Sequence, residues 1–128
     1  RRFWPGPLSI IVPASPHLPT QLLDARGCVS VRLTSHPQAR ELCLRVGAPL
    51  AATSANVSGG QAVSDVGDLN PAVCLGADYV FTGNPTPAGG LASTVVGPLG
   101  GRELRLFRAG ALPVEELEKA GFTVKPEA

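Results

Sequence analysis

The residues best suited to chemistry lie in the segment Thr53–Gly60, which reads Thr-Ser-Ala-Asn-Val-Ser-Gly-Gly. It follows the apolar run 49–52 and contains hydroxyls, an amide and two glycines, but no charged side chain. A strand that ends in such a loop offers free backbone N–H groups and short donors, which are features of an anion or nucleotide site. The same composition is also typical of an ordinary turn, so other residues must decide between the two interpretations.

Further polar residues fall at the ends or edges of predicted strands. Arg32 ends an otherwise apolar strand, where an arginine either reaches solvent or binds an anion. Ser93 and Thr94 follow a glycine-rich loop, and Arg108 ends the last strand of the main body, although a turn and a surface charge explain them equally well. Taken together, arginines, small hydroxyls and backbone donors suit nucleotide binding and charge stabilisation during phosphoryl or nucleotidyl transfer.

Side-chain nucleophiles and metal clusters find little support in the sequence. There is no G-x-S-x-G elbow, no P-loop and no dinucleotide-binding G-x-G-x-x-G motif. The three cysteines are widely spaced and only two histidines accompany them, so we expect no structural metal. We interpret His36, at the start of a predicted helix, as structural.

The composition is that of a globular protein, with 44% hydrophobic and 16% charged residues in 128. A net charge of +1 argues against a protein that coats nucleic acid. No apolar run approaches the roughly 20 residues of a membrane span, and nothing resembles a signal peptide. Because separated cysteines in odd number favour reduced thiols, we expect a cytoplasmic protein that does not contact membranes.

Predicted strands and helices intermix without a repeat, which indicates an α/β or α+β fold with a twisted, mixed sheet. A capping box of Ser35 and Gln38 opens the clearest helix, which Gly47 ends. Pro113 opens the last helix, and Gly121 ends it before a polar tail. Strands are expected at 8–12, 28–33, 50–52, 79–81, 93–96 and 104–107, and a short helix near 71–75.

Five motifs follow one another through the chain. They are Phe3-Trp4-Pro5-Gly6-Pro7-Leu8, Val29-Ser30-Val31-Arg32-Leu33 with Ser35-His36-Pro37, Pro49-Leu50-Ala51-Ala52-Thr53-Ser54-Ala55-Asn56-Val57-Ser58-Gly59, Ser93-Thr94-Val95-Val96 and Leu106-Phe107-Arg108-Ala109-Gly110. In this order and spacing they strongly resemble the YrdC/TsaC family of threonylcarbamoyl-AMP synthases, over residues 1–112.

The resemblance implies a YrdC-like fold in which a twisted mixed sheet and flanking helices surround a basic cavity. Residues 1–112 would be the carboxy-terminal part of that domain, and residues 113–128 a helix and tail. The implied reaction converts L-threonine, bicarbonate and ATP into threonylcarbamoyl-AMP and pyrophosphate, with Mg²⁺ accompanying the nucleotide. Since the product serves the threonylcarbamoyladenosine modification of tRNA, the implied partners are tRNA, double-stranded RNA and other proteins of that pathway.

The resemblance also implies roles for individual residues. Arg32 and Ser93 should bind threonine, with the backbone of Ala52 closing that side, and Arg32 and Arg108 should act electrostatically without any nucleophilic side chain. Ala62 could contact the nucleotide only through its backbone. The implied ATP contacts are Cys28, Ser54, Ala62 and Arg108. The residues implied to shape the same loop are Thr53, Asn56 and Ser58.

Family members are expected to carry a preceding segment whose Lys-x-Arg motif reaches ATP, whereas Lys119 and Lys125 are the only lysines here. We therefore expect the 128-residue chain to be inactive by itself. Two other functions stay open: the carbamoyl-adenylate-forming domain of hydrogenase-maturation carbamoyltransferases, and a non-catalytic RNA-binding module of the same fold. The Ser-Thr-Val-Val and Phe-Arg-Ala-Gly motifs favour the threonine enzymes over the first, and salt-sensitive RNA binding without nucleotide binding would indicate the second.

Overall fold

A five-stranded mixed sheet forms the centre of the fold. This computed structural model of the chain describes residues 2–127. Its elements are β1 (Leu8–Pro13), β2 (Cys28–Val31), α1 (Pro37–Val46), α2 (Pro71–Leu75), β3 (Thr94–Gly100), β4 (Glu103–Arg108), α3 (Val114–Lys119) and β5 (Thr123–Pro126), with 3₁₀ turns at Thr20–Leu22 and Val66–Asp68. In space the order is β2-β1-β3-β4-β5. β1 with β3 and β4 with β5 are parallel pairs, and the other two neighbours are antiparallel. The predicted α/β fold with a mixed sheet is confirmed.

One face of the sheet carries the hydrophobic core. Leu8, Val96 and Leu117 are 6%, 1% and 1% exposed. Strand alternation explains the set, because Leu8 and Ile10 lie two residues apart on β1 and Ile10 pairs with Val96 on β3. Partly buried side chains complete this core: Phe3, Trp4, Ile10, Leu104, Leu106, Leu112, Phe122 and Val124.

The carboxy-terminal residues belong to this sheet. The sequence predicted a polar tail after Phe122, and this was wrong, because β5 pairs in parallel with β4 after the crossover helix α3. Phe122 and Val124 provide the apolar side chains that dock the segment on the core. Thr123 N–H also donates to the carbonyl of Arg102 at 2.9 Å. Whether a domain boundary lies near residue 112 stays a prediction.

Helix α1 starts differently from the prediction. His36, not Ser35, is the N-cap, and its ring accepts a backbone N–H of the first turn. Gln38 donates to the carbonyl of Asn84 instead of returning to the N-cap, so the predicted capping box was wrong. The helix ends as predicted at Gly47, whose φ of +71° is left-handed and favours glycine.

The segment between α1 and β3 contains less regular structure than the sequence predicted. Helix α2 was predicted correctly, but the strands expected at 50–52 and 79–81 are absent from the described residues. A short apolar run forms a strand only beside a partner, and neither run reaches the sheet; Leu50 is 41% and Phe81 50% exposed. Among residues 2–127, no helix has the length and apolarity needed to span a bilayer.

Candidate active site

Two serines and an arginine meet on the face of the sheet opposite the core. Ser93 Oγ lies 2.8 Å from Ser9 Oγ on β1, and both residues are buried. Arg108 donates from Nε and Nη2 to the carbonyl oxygen of Ser93, at 3.1 and 2.9 Å, and from Nη2 to its hydroxyl at 3.3 Å. The structure therefore brings together Ser93 and Arg108, two of the predicted site residues. We name these three residues the serine–arginine cluster.

A β-bulge directs the side chain of Arg108 to this face. Val96 pairs with Leu106, but Val95 pairs with Arg108, so β4 has one extra residue, Phe107, at this point. Such a bulge moves the following side chain to the other face of the sheet. Without it Phe107 would stand opposite Val95, and Arg108 would point to the side of the core.

The chain after β4 runs against the start of β3, which fixes the position of Ser93. A Cβ on Gly110 would lie 2.2 Å from the carbonyl oxygen of Ala92, so only glycine fits there. The Thr94 hydroxyl donates to the carbonyl of Leu112 at 2.6 Å and accepts from its N–H at 3.2 Å. Gly110 and Thr94, which belong to two of the sequence motifs, thus hold the strand ends that carry the cluster.

Arg32 follows β2, and the strand register places it next to Ser9. The last pair between β1 and β2 joins Ile10 to Val31, so Ser9 and Arg32 come next along the two strands. Opposite residues of an antiparallel pair share a face of the sheet. Arg32 is exposed and forms no ion pair or side-chain hydrogen bond with the rest of residues 2–127. In the strand order β2-β1-β3-β4, Ser9 therefore lies between Arg32 and Ser93.

The Thr53–Gly60 loop is closed by its own asparagine. Asn56 Nδ2 donates to the carbonyls of Val57 and Gly60, each at 2.9 Å. Gly60 N–H donates to the carbonyl of Val57 at 2.8 Å, and Gly59 has a φ of +81° that favours glycine. These bonds make one tight turn whose shape depends on Asn56 and on the following glycines.

The structure does not bring this loop into contact with the serine–arginine cluster. Among residues 2–127, no hydrogen bond joins Thr53–Gly60 to Ser93 or Arg108. Apart from Asn56, the site residues predicted between positions 52 and 62 are all exposed: Ala52, Thr53, Ser54, Ser58 and Ala62. Their roles in binding threonine or ATP stay predictions.

Cys28, the remaining predicted contact, borders two cavities of about 260 and 220 Å³. It pairs with Pro13, four residues along β1 from Ser9, and so lies on the same face. Arg26, Arg105 and Phe107 line part of the smaller cavity, which gives it a basic rim. This face therefore continues from the serine–arginine cluster to Cys28.

The turn before Cys28 is fixed by Asp24. Its Oδ1 accepts the N–H groups of Arg26 and Cys28, each at 2.9 Å, and its Oδ2 accepts from Arg26 Nη2 at 2.7 Å. The Cys28 N–H and then the Arg26 guanidinium lower the pKa of Asp24 below its usual value, and the carboxylate raises the pKa of Arg26. Arg26 also lies over the ring of Phe107, 4.8 Å from its centre. Its charge is thus already partnered.

Protein ligands for a metal ion do not gather on this face. Among residues 2–127, no group of three or more His, Cys, Asp or Glu side chains could hold a metal.

Ser9 was missed by the sequence interpretation. It stands alone as a polar residue within the apolar run 8–12, whose alternate side chains face the core. A lone hydroxyl in such a run points to the face opposite the core. That pattern could have placed Ser9 on the face opposite the core, beside the residues of the neighbouring strands on that face.

A family model described as telomere recombination, the Sua5/YciO/YrdC model, matches residues 1–110. The chain belongs to the Sua5/YciO/YrdC family. This confirms the resemblance on which the sequence interpretation rested, and the matched residues include the whole serine–arginine cluster.

Several relatives carry the name of one activity. A Pyrococcus abyssi protein named threonylcarbamoyl-AMP synthase is 34% identical over 119 residues, covering 93% of this chain and 34% of the relative. A Mycobacterium tuberculosis relative, given the same name as a provisional assignment, is 38% identical over 124 residues, covering 91% of this chain and 52% of its own length. This member of the Sua5/YciO/YrdC family thus spans about half of the length of the Mycobacterium tuberculosis relative and about a third of the length of the Pyrococcus abyssi relative.

Solved structures show the same fold. The structure of a doubly substituted Pyrococcus abyssi Sua5 aligns with a TM-score of 0.78 at 31% identity, over 98% of this chain and 38% of the other. The crystal structure of Pyrococcus abyssi Sua5 complexed with L-threonine aligns with a TM-score of 0.74 at 28% identity, over 97% and 36%. The family's fold therefore extends over nearly all of this chain.

Proposed function

We propose that this chain is the part of a threonylcarbamoyl-AMP synthase that binds L-threonine and the phosphates of ATP. The observation that carries the proposal is the serine–arginine cluster, in which exposed Arg108 holds both the carbonyl and the hydroxyl of buried Ser93. The name shared by the relatives and the L-threonine complex of Pyrococcus abyssi Sua5 support it. The reaction would take place in the cytoplasm and supply the modification of tRNA, which would be the partner that receives the product.

Threonine would bind between Arg32 and Ser93. Arg32 is an exposed guanidinium without a partner among residues 2–127, and its fork of donors suits a carboxylate. Ser93 presents a hydroxyl whose position is already fixed by Arg108 and Ser9. The backbone of Ala52 would close the third side once the 53–60 loop folds over the ligand.

ATP would lie along the same face, toward Cys28, with Ser54 and the backbone of Ala62 as further contacts. Arg108 uses Nε and Nη2 for Ser93, which leaves Nη1 without a hydrogen bond among residues 2–127. A guanidinium has five N–H donors, so Arg108 can hold Ser93 and a phosphate together. Mg²⁺ bound to the phosphates would offset their charge.

The chemistry needs positioning and charge stabilisation more than a nucleophilic side chain. An oxygen of N-carboxy-threonine attacks the α-phosphorus, the new P–O bond forms, and the bond to pyrophosphate breaks. Negative charge grows on the leaving pyrophosphate, where Arg108 can stabilise it. Arg32 would hold the threonine carboxylate and so position the carbamate oxygen of N-carboxy-threonine in line for attack.

The test uses a chimaera in which this chain replaces the matched half of the Mycobacterium tuberculosis relative. We expect the chimaera to release pyrophosphate from ATP only when threonine and bicarbonate are present. Arg108→Ala should slow release by about 100-fold or more, in the range seen for the loss of one oxyanion donor. Arg45→Ala, which removes an exposed partner of Glu41 on α1, is the matched control and should leave the rate unchanged.

Three results would contradict the proposal. A folded chimaera that releases no pyrophosphate would remove the synthase assignment. Release that requires carbamoyl phosphate in place of threonine and bicarbonate would assign the chain to carbamoyl-adenylate formation. Salt-sensitive binding of double-stranded RNA by a chain that binds no nucleotide would indicate a non-catalytic module.

A further inference from the structure

Ser9 lies at the centre of the serine–arginine cluster, and the reaction outlined above gives it no role. Its hydroxyl is 2.8 Å from that of Ser93, and the residue is 6% exposed. Within residues 2–127, Ser93 is the only hydrogen-bond partner of its side chain. Buried hydroxyls almost always have a partner, so the bond between the two serines fixes both side chains.

The direction of that bond follows from counting hydrogens. A serine hydroxyl donates one hydrogen and accepts on two lone pairs. Ser93 Oγ already accepts from Arg108 Nη2 at 3.3 Å. A carboxylate can only accept, so Ser93 must donate its single hydrogen to bind one. The bond between the serines can then persist only with Ser9 as donor.

We propose that Ser9 is a positioning residue for the carboxylate of the amino-acid substrate, acting through Ser93. The inference rests on the proposed function, because the carboxylate is what requires Ser93 to donate. By donating to Ser93, Ser9 leaves the hydrogen of Ser93 available to a carboxylate that lies over this face of the sheet. Two accepted hydrogen bonds, from Ser9 and Arg108, also make Ser93 a stronger donor, because bonds in a chain polarise one another.

Thr94 provides a matched comparison for a hydroxyl that is only structural. It is 0% exposed and follows Ser93 directly as the first residue of β3, but it faces the other side of the sheet. Within the described part of the chain, 2–127, its hydroxyl bonds only to the backbone of Leu112. Thr94→Val should therefore lower the midpoint of thermal unfolding without changing the affinity for any ligand of the opposite face.

The test is isothermal titration of the full chain with L-threonine and, separately, with ATP. Ser9→Ala should raise the Kd for threonine about three- to tenfold, the effect of losing one oriented hydrogen bond, and leave the Kd for ATP unchanged. Ser9→Thr, which keeps the hydroxyl, should restore threonine binding. Should Ser9→Ala fail to fold, Ser9→Cys, a weaker donor of similar size, should show the same selective loss.

The outcomes separate this inference from the proposed function. If Ser93→Ala weakens threonine binding and Ser9→Ala does not, Ser9 has no positioning role and the proposed function stands. An equal loss for threonine and ATP in Ser9→Ala would also overturn the inference, because it would indicate general damage. If the unchanged chain binds no threonine, the inference and the proposed function are both overturned.

Discussion

The sheet and the segment at residues 33–92 differ sharply in how their side chains are buried. Among residues 2–127, the buried residues other than glycine lie in the first ten residues and after residue 92: Leu8, Ser9, Ser93, Thr94, Val96 and Leu117. Within residues 33–92 no residue is buried. In that segment, Leu44, Leu75, Tyr79 and Leu91 are 73%, 88%, 78% and 74% exposed.

This difference divides the predicted site into two parts. Ser93 directly precedes β3 and Arg108 ends β4, and both strands are held by the core and by the close approach at Gly110. Ser54 and its neighbours lie on a loop held mainly by Asn56. Because regions with few buried contacts open at low free-energy cost, we expect the strands to provide a rigid half of the site and the loop an adaptable half.

The largest contrast should come from removing one leucine side chain in each region. Leu117→Ala should lower the free energy of unfolding by about 2–5 kcal/mol, because the side chain is 1% exposed in the core. Leu44→Ala should change it by less than about 0.5 kcal/mol, because Leu44 is mostly exposed. Urea denaturation measures both, and equal effects would mean that α1 is packed as tightly as the sheet.

A smaller contrast is expected for one arginine of each region. Arg102 donates to the carbonyls of Ala120 and Gly121 at the end of α3 and lies 5.0 Å from the centre of the Phe122 ring. Arg102→Ala should therefore cost about 1–2 kcal/mol, since charged donors give the stronger hydrogen bonds. On α1, the exposed pair of Arg45 and Glu41 should contribute about 0.5 kcal/mol or less.

Thermal unfolding of the two arginine variants provides the measurement. A midpoint that falls further for Arg45→Ala than for Arg102→Ala would contradict the division between the two regions. A charge-neutral Arg102→Gln variant serves as a control, because it keeps part of the donor capacity without the cation.

The smallest effect is a pH dependence at the edge of the sheet. The pKa of Asp24 is lowered in the folded chain from its ordinary value of 3.8, first by the Cys28 N–H and then by Arg26. Its stabilisation is therefore complete above that ordinary value and is lost as the pH falls through the lower folded pKa. The difference in unfolding free energy between the unchanged chain and Asp24→Asn should be constant near neutral pH and shrink below pH 3.8. A difference that grows on acidification would contradict this sign.

The sheet was largely predictable from the sequence because its strands carry continuous apolar or alternating patterns. β1 and β4 match their predicted runs to within one residue at each end, and β2 ends two residues before the predicted end at 33. β3 was predicted at 93–96 but continues to Gly100. β5 was missed because its four residues include a lysine and a proline and pair only after α3 has crossed. The expected strand at 79–81 had suitable residue types, but strand formation depends on a neighbour that a local pattern cannot show.

The candidate site was predictable in its residue types but not in its assembly. Ser93 and Arg108 were predicted from motifs, and a single hydrogen-bonded cluster joins them. The bulge at Phe107 that turns Arg108 to this face depends on the pairing of two strands, and local sequence does not show that register. Ser9 was not predicted, because a single serine in an apolar strand is more often a tolerated polar residue than a functional one.

The most direct measurement of where the ligand binds is a set of amide chemical shifts recorded by NMR during titration with L-threonine. The largest changes should occur at Ser9, Arg32, Ser93 and Arg108, with smaller ones in the 53–60 loop and none in α2. Changes confined to residues 37–92, or no changes at millimolar threonine, would contradict a threonine site built on the sheet.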